Sequence, residues 1–281
     1  MKLVHDIEND VEHTIPPEGG VDSQWLFRAM TGRALAWIES APGRCIVDLA
    51  SGMGQDTYAL ARRAQARRQE DADSAPASRR RPPLIVGIEP SNRMIRFGPR
   101  FLAHREGGGP DAPGRAHFVR GLGEEIPVRS GAVDAVLCKG ALDHFMDPAL
   151  TLREIARVLR PGGRAVIALA NYGSLSCALG RWLDRGRPRP RLAQPPYYEP
   201  PPDHLTRFTF DSIVALARPP LRIRKVEGVS LLWGFPLWGR LLQRLPGSCQ
   251  SVLLHLAHGL ARLRPAWADV VVLVAERRAA P

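Results

Sequence analysis

The sequence predicts an α/β fold, a mostly parallel sheet covered by helices on both faces, and three observations carry that expectation. Short β-branched runs recur along the chain, Cys45–Leu49, Leu84–Glu89 and Val133–Cys138 among them. Stretches of helical spacing separate them, and glycine- or proline-marked turns join the two kinds of segment. Runs that are apolar at successive positions suit strands buried on both faces, as parallel strands are.

In chain order, Cys45–Leu49 ends in small residues and gives way to Thr57–Ala61 at helical spacing, a strand, glycine turn and helix. Ala64–Pro83 is rich in arginine, alanine, aspartate and proline and reads as a disordered insertion. Leu84–Glu89 is a second buried strand, after which Pro90 and Ser91 cap a helix running to about Leu102. Gly107–Pro110 is a loose loop, His117–Val119 a brief third strand and Val133–Cys138 a fourth. Asp147 and Pro148 give an N-cap and first-turn proline to an amphipathic helix carrying Leu152, Ile155 and Val158. Pro161-Gly162-Gly163 stops it before a fifth strand, Arg164–Ala170. Arg185–Pro202 has no periodicity and reads as a linker or flap. Thr209 caps a helix with Ile213, Val214 and Leu216, Leu221–Val229 alternates as a strand, and Ala268–Ala275 is the last strand. Between those strands Ser230–Ala266 places Trp233, Trp238, Leu241, Leu242 and Leu245 at helical spacing.

The 281 residues, 44% apolar, can bury one substantial core. The net charge of +11 suggests a polyanionic partner, but many arginines sit in apparently unstructured stretches (residues 62–81 and 181–191), where a solvated loop explains them. Cys45, Cys138, Cys177 and Cys249 lie far apart, so neither a disulfide framework nor a metal is expected, and a reducing cytoplasm fits. Residues 1–20 carry Asp6, Glu8, Asp10 and Glu12 and no apolar run, against a secretory signal. A spanning helix is not expected, which leaves a cytoplasmic protein with peripheral membrane contact open.

Val47–Asp56 holds the strongest chemical signal, because Gly52 and Gly54 follow a buried strand, where a bare backbone lets a nucleotide-like group approach closely. Asp48, at the strand end, is a carboxylate in need of a partner, either the turn itself or a cationic ligand group. Glu89 ends the second strand, where a carboxylate accepts ribose hydroxyls. A nicotinamide dinucleotide enzyme would use such a carboxylate similarly, so these residues alone point to adenosine without naming the ligand.

Taken together over Arg44–Asn171, the pieces resemble the class I S-adenosylmethionine-dependent methyltransferases, in particular the ubiquinone-biosynthesis and sterol-type small-molecule group. The family's first motif is approximately Asp-x-Gly-x-Gly-x-Gly; Asp48, Gly52 and Gly54 keep it, and Ala50 replaces the first glycine. Gly87-Ile-Glu89-Pro90-Ser91, with Met94 in the next helix, is similar to the ribose-binding block. Gly121–Pro127 is similar to the loop enclosing the adenine, with Leu122 where relatives commonly place an aspartate, so backbone groups of Leu122 and Gly123 are expected to substitute. Lys139–His144, Asp147-Pro148 and Arg157–Gly163 are similar to the post-strand motif and the helix-to-strand turn. A dehydrogenase would need a third glycine where Thr57 stands, and Cys138–Ala141 replaces the Asn/Asp-Pro-Pro-Tyr/Phe block of many enzymes that methylate nucleobase or glutamine nitrogen.

The resemblance implies a Rossmann-like, doubly wound, seven-stranded, mostly parallel sheet with an antiparallel last strand and a helical insertion before it. It implies one domain over 1–281: a helical cap (1–40), a cofactor-binding core (41–175), a flexible linker or flap (176–207) and a C-terminal part of the sheet (208–281) with a lid insertion (230–266). S-adenosylmethionine is the implied cofactor, held at the turn by Asp48, Ala50, Ser51, Gly52, Gly54 and Asp56. Glu89, Pro90 and Met94 would hold it at the second strand, and Leu122, Gly123, Glu124 and Lys139 beyond.

A methyl sulfonium is already electrophilic, so alignment supplies much of the rate, up to about 7–11 kcal/mol in well-oriented cases. A base matters only if the acceptor keeps a proton until attack. His144, beside Asp143, is the first candidate and Tyr172 the second; the alternative for His144 is packing over the cofactor. Trp25–Ile38, Tyr197, Tyr198 and Ser230–Ala266 are expected to set acceptor specificity. The last segment, with Arg240, Arg244, Arg262 and Arg264, suits a lid, an interfacial helix or packing against the sheet edge. The expected partner is a hydrophobic small molecule (lipid, quinone, sterol-like or polyketide-like) methylated at oxygen or carbon. RNA methylation through the basic loops and a non-catalytic S-adenosylmethionine-binding module are the alternatives.

Overall fold

The structure, a computed structural model, describes residues 20–41, 43–74, 83–96, 116–185 and 196–278. Its strands are β1 (Cys45–Leu49), β2 (Leu84–Glu89), β3 (Ala116–Arg120), β4 (Val133–Lys139), β5 (Leu159–Ala170), β6 (Leu221–Val229) and β7 (Val270–Arg277), in the order β3-β2-β1-β4-β5-β7-β6. β1 to β5 pair in parallel, and β7 lies between β5 and β6, antiparallel to both. This is the seven-stranded doubly wound sheet expected above. The chain reverses its direction of winding between β1 and β4, and such a switch point opens a crevice at the carboxyl ends of the strands.

The helices are α1 (Val21–Glu39), α2 (Gln55–Ser74), α3 (Pro148–Val158), α4 (Leu175–Leu183), α5 (Phe210–Ala217), α6 (Pro236–Gln243) and α7 (Gly247–Leu263), with a further helical turn at 92–96. Alternate residues of β4 serve opposite faces, as the pleat requires. Ala135 and Leu137 join Leu26, Leu35 and Ile38 of α1 and Leu60 of α2. Val136 and Cys138 join Leu152 and Ile155 of α3 and Ile213 of α5. Each such aliphatic side chain, once buried, contributes about 1.5–3 kcal/mol. The helix starts follow their sequence signals: Asp147 Oδ1 accepts from Leu150 N at 2.8 Å with Pro148 in the first turn, and Thr209 and Ser212 form a reciprocal capping box.

Several segments differ from expectation. α2 continues to Ser74, through the first half of the stretch read as a disordered insertion. Its alanines, glutamines and arginines are strong helix formers, and Arg63 and Arg67, one turn apart, both reach Glu39 of α1. The 176–207 stretch read as a flexible linker or flap contains most of α4, whose N-cap Ser174 accepts from Cys177 N. Tyr198 is buried against Tyr172 and Cys177, its hydroxyl bonded to Asp184, and Tyr197 donates to Ser176 O at 2.9 Å. Residues 186–195 of that stretch lie outside the described residues, as do the acidic stretch of 1–19, the glycine loop at 107–110 and the helix beyond residue 96. Ser230–Ala266 contains α6 and α7, joined to β7 by a 3-10 turn, Pro265–Trp267.

Polar contacts fasten the periphery to the sheet. Arg33 of α1 grips Glu227 of β6 through two hydrogen bonds of 2.8 Å, and Trp233 Nε1 donates to Ser23 Oγ at 3.0 Å. Asn171, buried at the end of β5, donates through Nδ2 to Ala266 O and Ala268 O, while its Oδ1 accepts from Gly173 N and Phe210 N.

Candidate functional site

The turn after β1 bends through three left-handed residues, Ala50 (φ 55°), Gly52 (φ 54°) and Gly54 (φ 89°). A Cβ added at Gly52 would meet nothing within 4 Å, so the space above it is open to a ligand. At Gly54 a Cβ would lie 2.5 Å from the Phe118 ring of β3, so internal packing as well as the left-handed backbone excludes a side chain at that position. Ala50 holds a conformation that disfavours L side chains by about 1–2 kcal/mol. We expect Ala50→Gly to stabilise the fold by about 0.5–1 kcal/mol after the larger chain entropy of glycine is subtracted. Chemical denaturation measures this, and a loss of stability would mean that the methyl packs too well to give up.

Glu89, buried at the end of β2, latches that turn. Its Oε2 accepts from Gly52 N at 2.9 Å and its Oε1 from Ser91 N at 3.0 Å, while Ser51 N donates to Ile88 O. The Ser51 hydroxyl is buried with no hydrogen-bond partner among the described residues. Met94 is buried with Met53 and Tyr58 beneath the turn, and Pro90 O accepts from Arg120. In the loop after β3, Gly123 lies flush against the Phe145 ring, and Leu122 bridges to Glu125. Glu124 lines the cleft at this loop, and its Oε1 accepts from Met146 N (2.8 Å) and Asp147 N (3.2 Å), bracing the loop against the segment after β4.

The charges at the β1/β4 crevice are interlocked. Lys139, at the end of β4, pairs with Asp56 at 3.0 Å and donates to Thr31 Oγ1 of α1 at 3.1 Å. Asp48 is fully enclosed and accepts from Thr57 Oγ1 at 2.6 Å. Burial pushes its carboxyl up to about 7, and the Asp56 carboxylate pushes the same way; Thr57 and Lys139 only partly offset them.

A second cluster forms beyond β4, where a 3-10 turn, Leu142–His144, presents Asp143 and His144. His204, from the segment before α5, brings its Nδ1 to 2.8 Å from Asp143 Oδ2 and 3.1 Å from the Tyr172 hydroxyl. Leu205 N and Thr206 N donate to Asp143 O, which pins the two segments together. The His144 and His204 rings meet edge-on at 4.4 Å, and His144 Nδ1 lies 3.6 Å from Asp203 Oδ2. Burial alone would pull the His204 imidazole down, but the hydrogen bond and charge of Asp143, with Asp203, hold it above the usual histidine value. Burial chiefly, then the Asp143 charge, pushes the Tyr172 phenol up. The buried Cys138 thiol is raised first by burial and then by both Asp143 and Asp48, which sets it between the two clusters.

Asp143 Oδ1 is buried without a hydrogen-bond partner among the described residues, and one donor atom from each of Asp143, His144 and His204 lies within 4.8 Å of the others. The three could close on a divalent cation, a donor set that cysteine spacing did not signal. The structure thus brings His144 and Tyr172 together around two residues of greater weight, Asp143 and His204. Sequence reasoning missed His204, whose only local signal is its place just before the Thr209 cap. A cleft of about 850 Å³ at the loop after β3 is lined by Pro90, Arg120, Leu122, Glu124, Pro127 and Arg157 among others, and its lining does not include Asp48 or Gly52.

A family profile described as a methyltransferase domain matches residues 47–167. Among curated relatives, an uncharacterised methyltransferase of Mycobacterium sp. (strain JLS) is 29% identical over 171 residues, covering 59% of this chain and 56% of that protein. A demethylmenaquinone methyltransferase of Corynebacterium kroppenstedtii is 31% identical over 149 residues, covering 53% and 49%. The chain thus spans about half the length of the curated relatives it matches. Among solved structures, the [4+2]-cyclase SpnF superposes with a TM-score of 0.55 at 18% identity, over 97% of this chain and 86% of that one.

Proposed function

We propose that the chain, whose residues 47–167 match a methyltransferase-domain profile, transfers the methyl group of S-adenosylmethionine to a hydrophobic small molecule at oxygen or carbon. The observation that carries the reading is the open bend at Gly52 tied to the Glu89 carboxylate. The residues present fit the cofactor: the bare bend leaves room for it, and the unpartnered Ser51 hydroxyl offers a donor at the same place. Glu89 would accept the ribose hydroxyls, since a carboxylate has about four acceptor directions and can serve turn and diol together. Asp48 would face the cationic amino acid end. Bound there, the cofactor supplies an electrophilic methyl group.

This chain's own residues would then align the acceptor and handle its proton. With its Nδ1–H held by Asp143, the His204 imidazole keeps Nε2 as the basic nitrogen, placed to take a proton from an acceptor hydroxyl or activated carbon. Asp143 is the positioning residue, and the Tyr172 hydroxyl meets the same Nδ1. His144, more exposed and turned toward Asp203, would wall the acceptor space. The demethylmenaquinone relative favours a quinone-like acceptor.

The test is incubation with methyl-labelled cofactor and fractionated cell extract, with label expected in the organic phase. Label recovered in RNA instead, with binding that collapses as salt rises, would assign the basic loops to nucleic acid. Failure to transfer label to any fraction would leave a cofactor-binding module without catalysis. Asp48 supplies a further check. A carboxyl that titrates near 7 when folded and near ~3.9 when unfolded makes the free fold less stable as pH rises through that window. A cationic group beside it favours ionisation, so cofactor binding at pH 6 should release up to about one proton and tighten toward pH 8. Calorimetry in buffers of different ionisation enthalpy reads both effects; affinity flat across that range would remove Asp48 from the site.

A further inference from the structure

α7 has two apolar faces, and the core uses one. Leu254 and Ala261 are buried on its inner side, whereas Val252, Leu256 (61% exposed), Leu260 and Leu263 (76% exposed) follow one another at helical spacing on its outer side. Leu237 and Leu241, one turn apart on α6, are exposed as well, and Trp267 follows α7. Between Glu227 and Asp269 the sequence holds no acidic residue, while Arg240, Arg244, Arg262 and Arg264 are all exposed. None of these arginines pairs with a carboxylate among the described residues; Arg264 instead lies over the Trp267 ring at 6.0 Å.

We propose that the outer face of α6 and α7 docks on a membrane surface carrying anionic lipid headgroups, with the leucines entering the acyl boundary and the arginines at the phosphates. Outward leucines flanked by cations and free of carboxylates are what an in-plane helix presents to such a surface. A second copy of the chain fits worse, because a two-fold contact would set the same unpaired arginines against each other. A nucleic acid would use the arginines and leave the leucine stripe in water. The topology gives the docking a use. Both ends of the insertion lie at the carboxyl end of β5, where Ala170 pairs with Val270 and Val270 with Val229. The docked face therefore springs from the rim of the sheet that holds the glycine turn and His204. A lipid-dissolved acceptor would reach that rim without crossing water. That last step rests on the methyl-transfer reading, whereas lipid binding does not.

The experiment is sedimentation of the full chain with phosphatidylcholine vesicles, with and without phosphatidylglycerol, at low and high salt. Binding is expected only with phosphatidylglycerol and should weaken as salt rises. Leu256→Glu combined with Leu260→Glu is expected to weaken it at least ~10-fold, and Arg262→Gln combined with Arg264→Gln by a similar factor. Both pairs are exposed, and unchanged cofactor affinity and melting temperature would establish that the variants fold. Absence of sedimentation with phosphatidylglycerol, or equal sedimentation of both variants and the parent, would overturn the proposal. So would a dimer in analytical ultracentrifugation that the leucine variant abolishes. Vesicle binding needs no cofactor and methyl transfer in detergent needs no vesicle, so the two readings fail separately.

Discussion

Glu89→Ala is expected to weaken S-adenosylmethionine binding by at least ~100-fold and to destabilise the fold at the same time. Its carboxylate holds the backbone N–H groups of Gly52 and Ser91 from a buried position, and each buried donor left unsatisfied costs about 1–3 kcal/mol. That is a large share of the ~5–15 kcal/mol by which a domain is stable. The lost charge-assisted hydrogen bonds to the ribose, about 1.5–3 kcal/mol each, add the affinity term. Glu89→Gln keeps one acceptor oxygen and should fall between the parent and alanine. Denaturant titration and calorimetry together separate the two effects: a lowered midpoint with an unchanged dissociation constant would make Glu89 a brace for the turn and nothing more.

His204→Ala is expected to lower kcat by ~10²–10⁴, the usual worth of a positioned general base, with cofactor affinity unchanged. Because Asp143 holds the imidazole above its ordinary value of ~6.5, activity of the parent should rise with pH through a midpoint above that value. Only the neutral ring can take a proton, so the rising limb should disappear in the alanine variant. If the limb persists there, proton transfer through His204 is wrong. Loss of parent activity on chelation, restored by a divalent ion, would instead assign Asp143, His144 and His204 to a cation.

What could be read from the sequence was local. The path Asp48 to Asp56 lies within one strand-turn-helix unit, so its glycines and carboxylates stand in an order that backbone conformation requires. Asp147 and Thr209 mark helix starts through bonds to residues three positions away, and Pro148 does so by occupying the first turn. The hidden parts were tertiary. The close approach of Phe118, a residue on β3, to Gly54 has no signal along the chain. The hold of Glu124 on the N–H groups of Met146 and Asp147, beyond β4, has no local signal. His204 meets Asp143 only because the segment before α5 folds back over the end of β4. α2 was shortened in the reading since its charged second half resembles a solvated tract; the contact of Arg63 and Arg67 with Glu39 has no signature along the chain.

Asn171 has a wider consequence. One amide side chain reaches the backbone before β7, the turn leading into α4 and the first residue of α5. Those three segments border the insertion, the tyrosine pair and the approach to His204. To separate any one of them from the sheet breaks bonds that the others share. The three segments are therefore fastened to one another through a single side chain, like panels hung on one post.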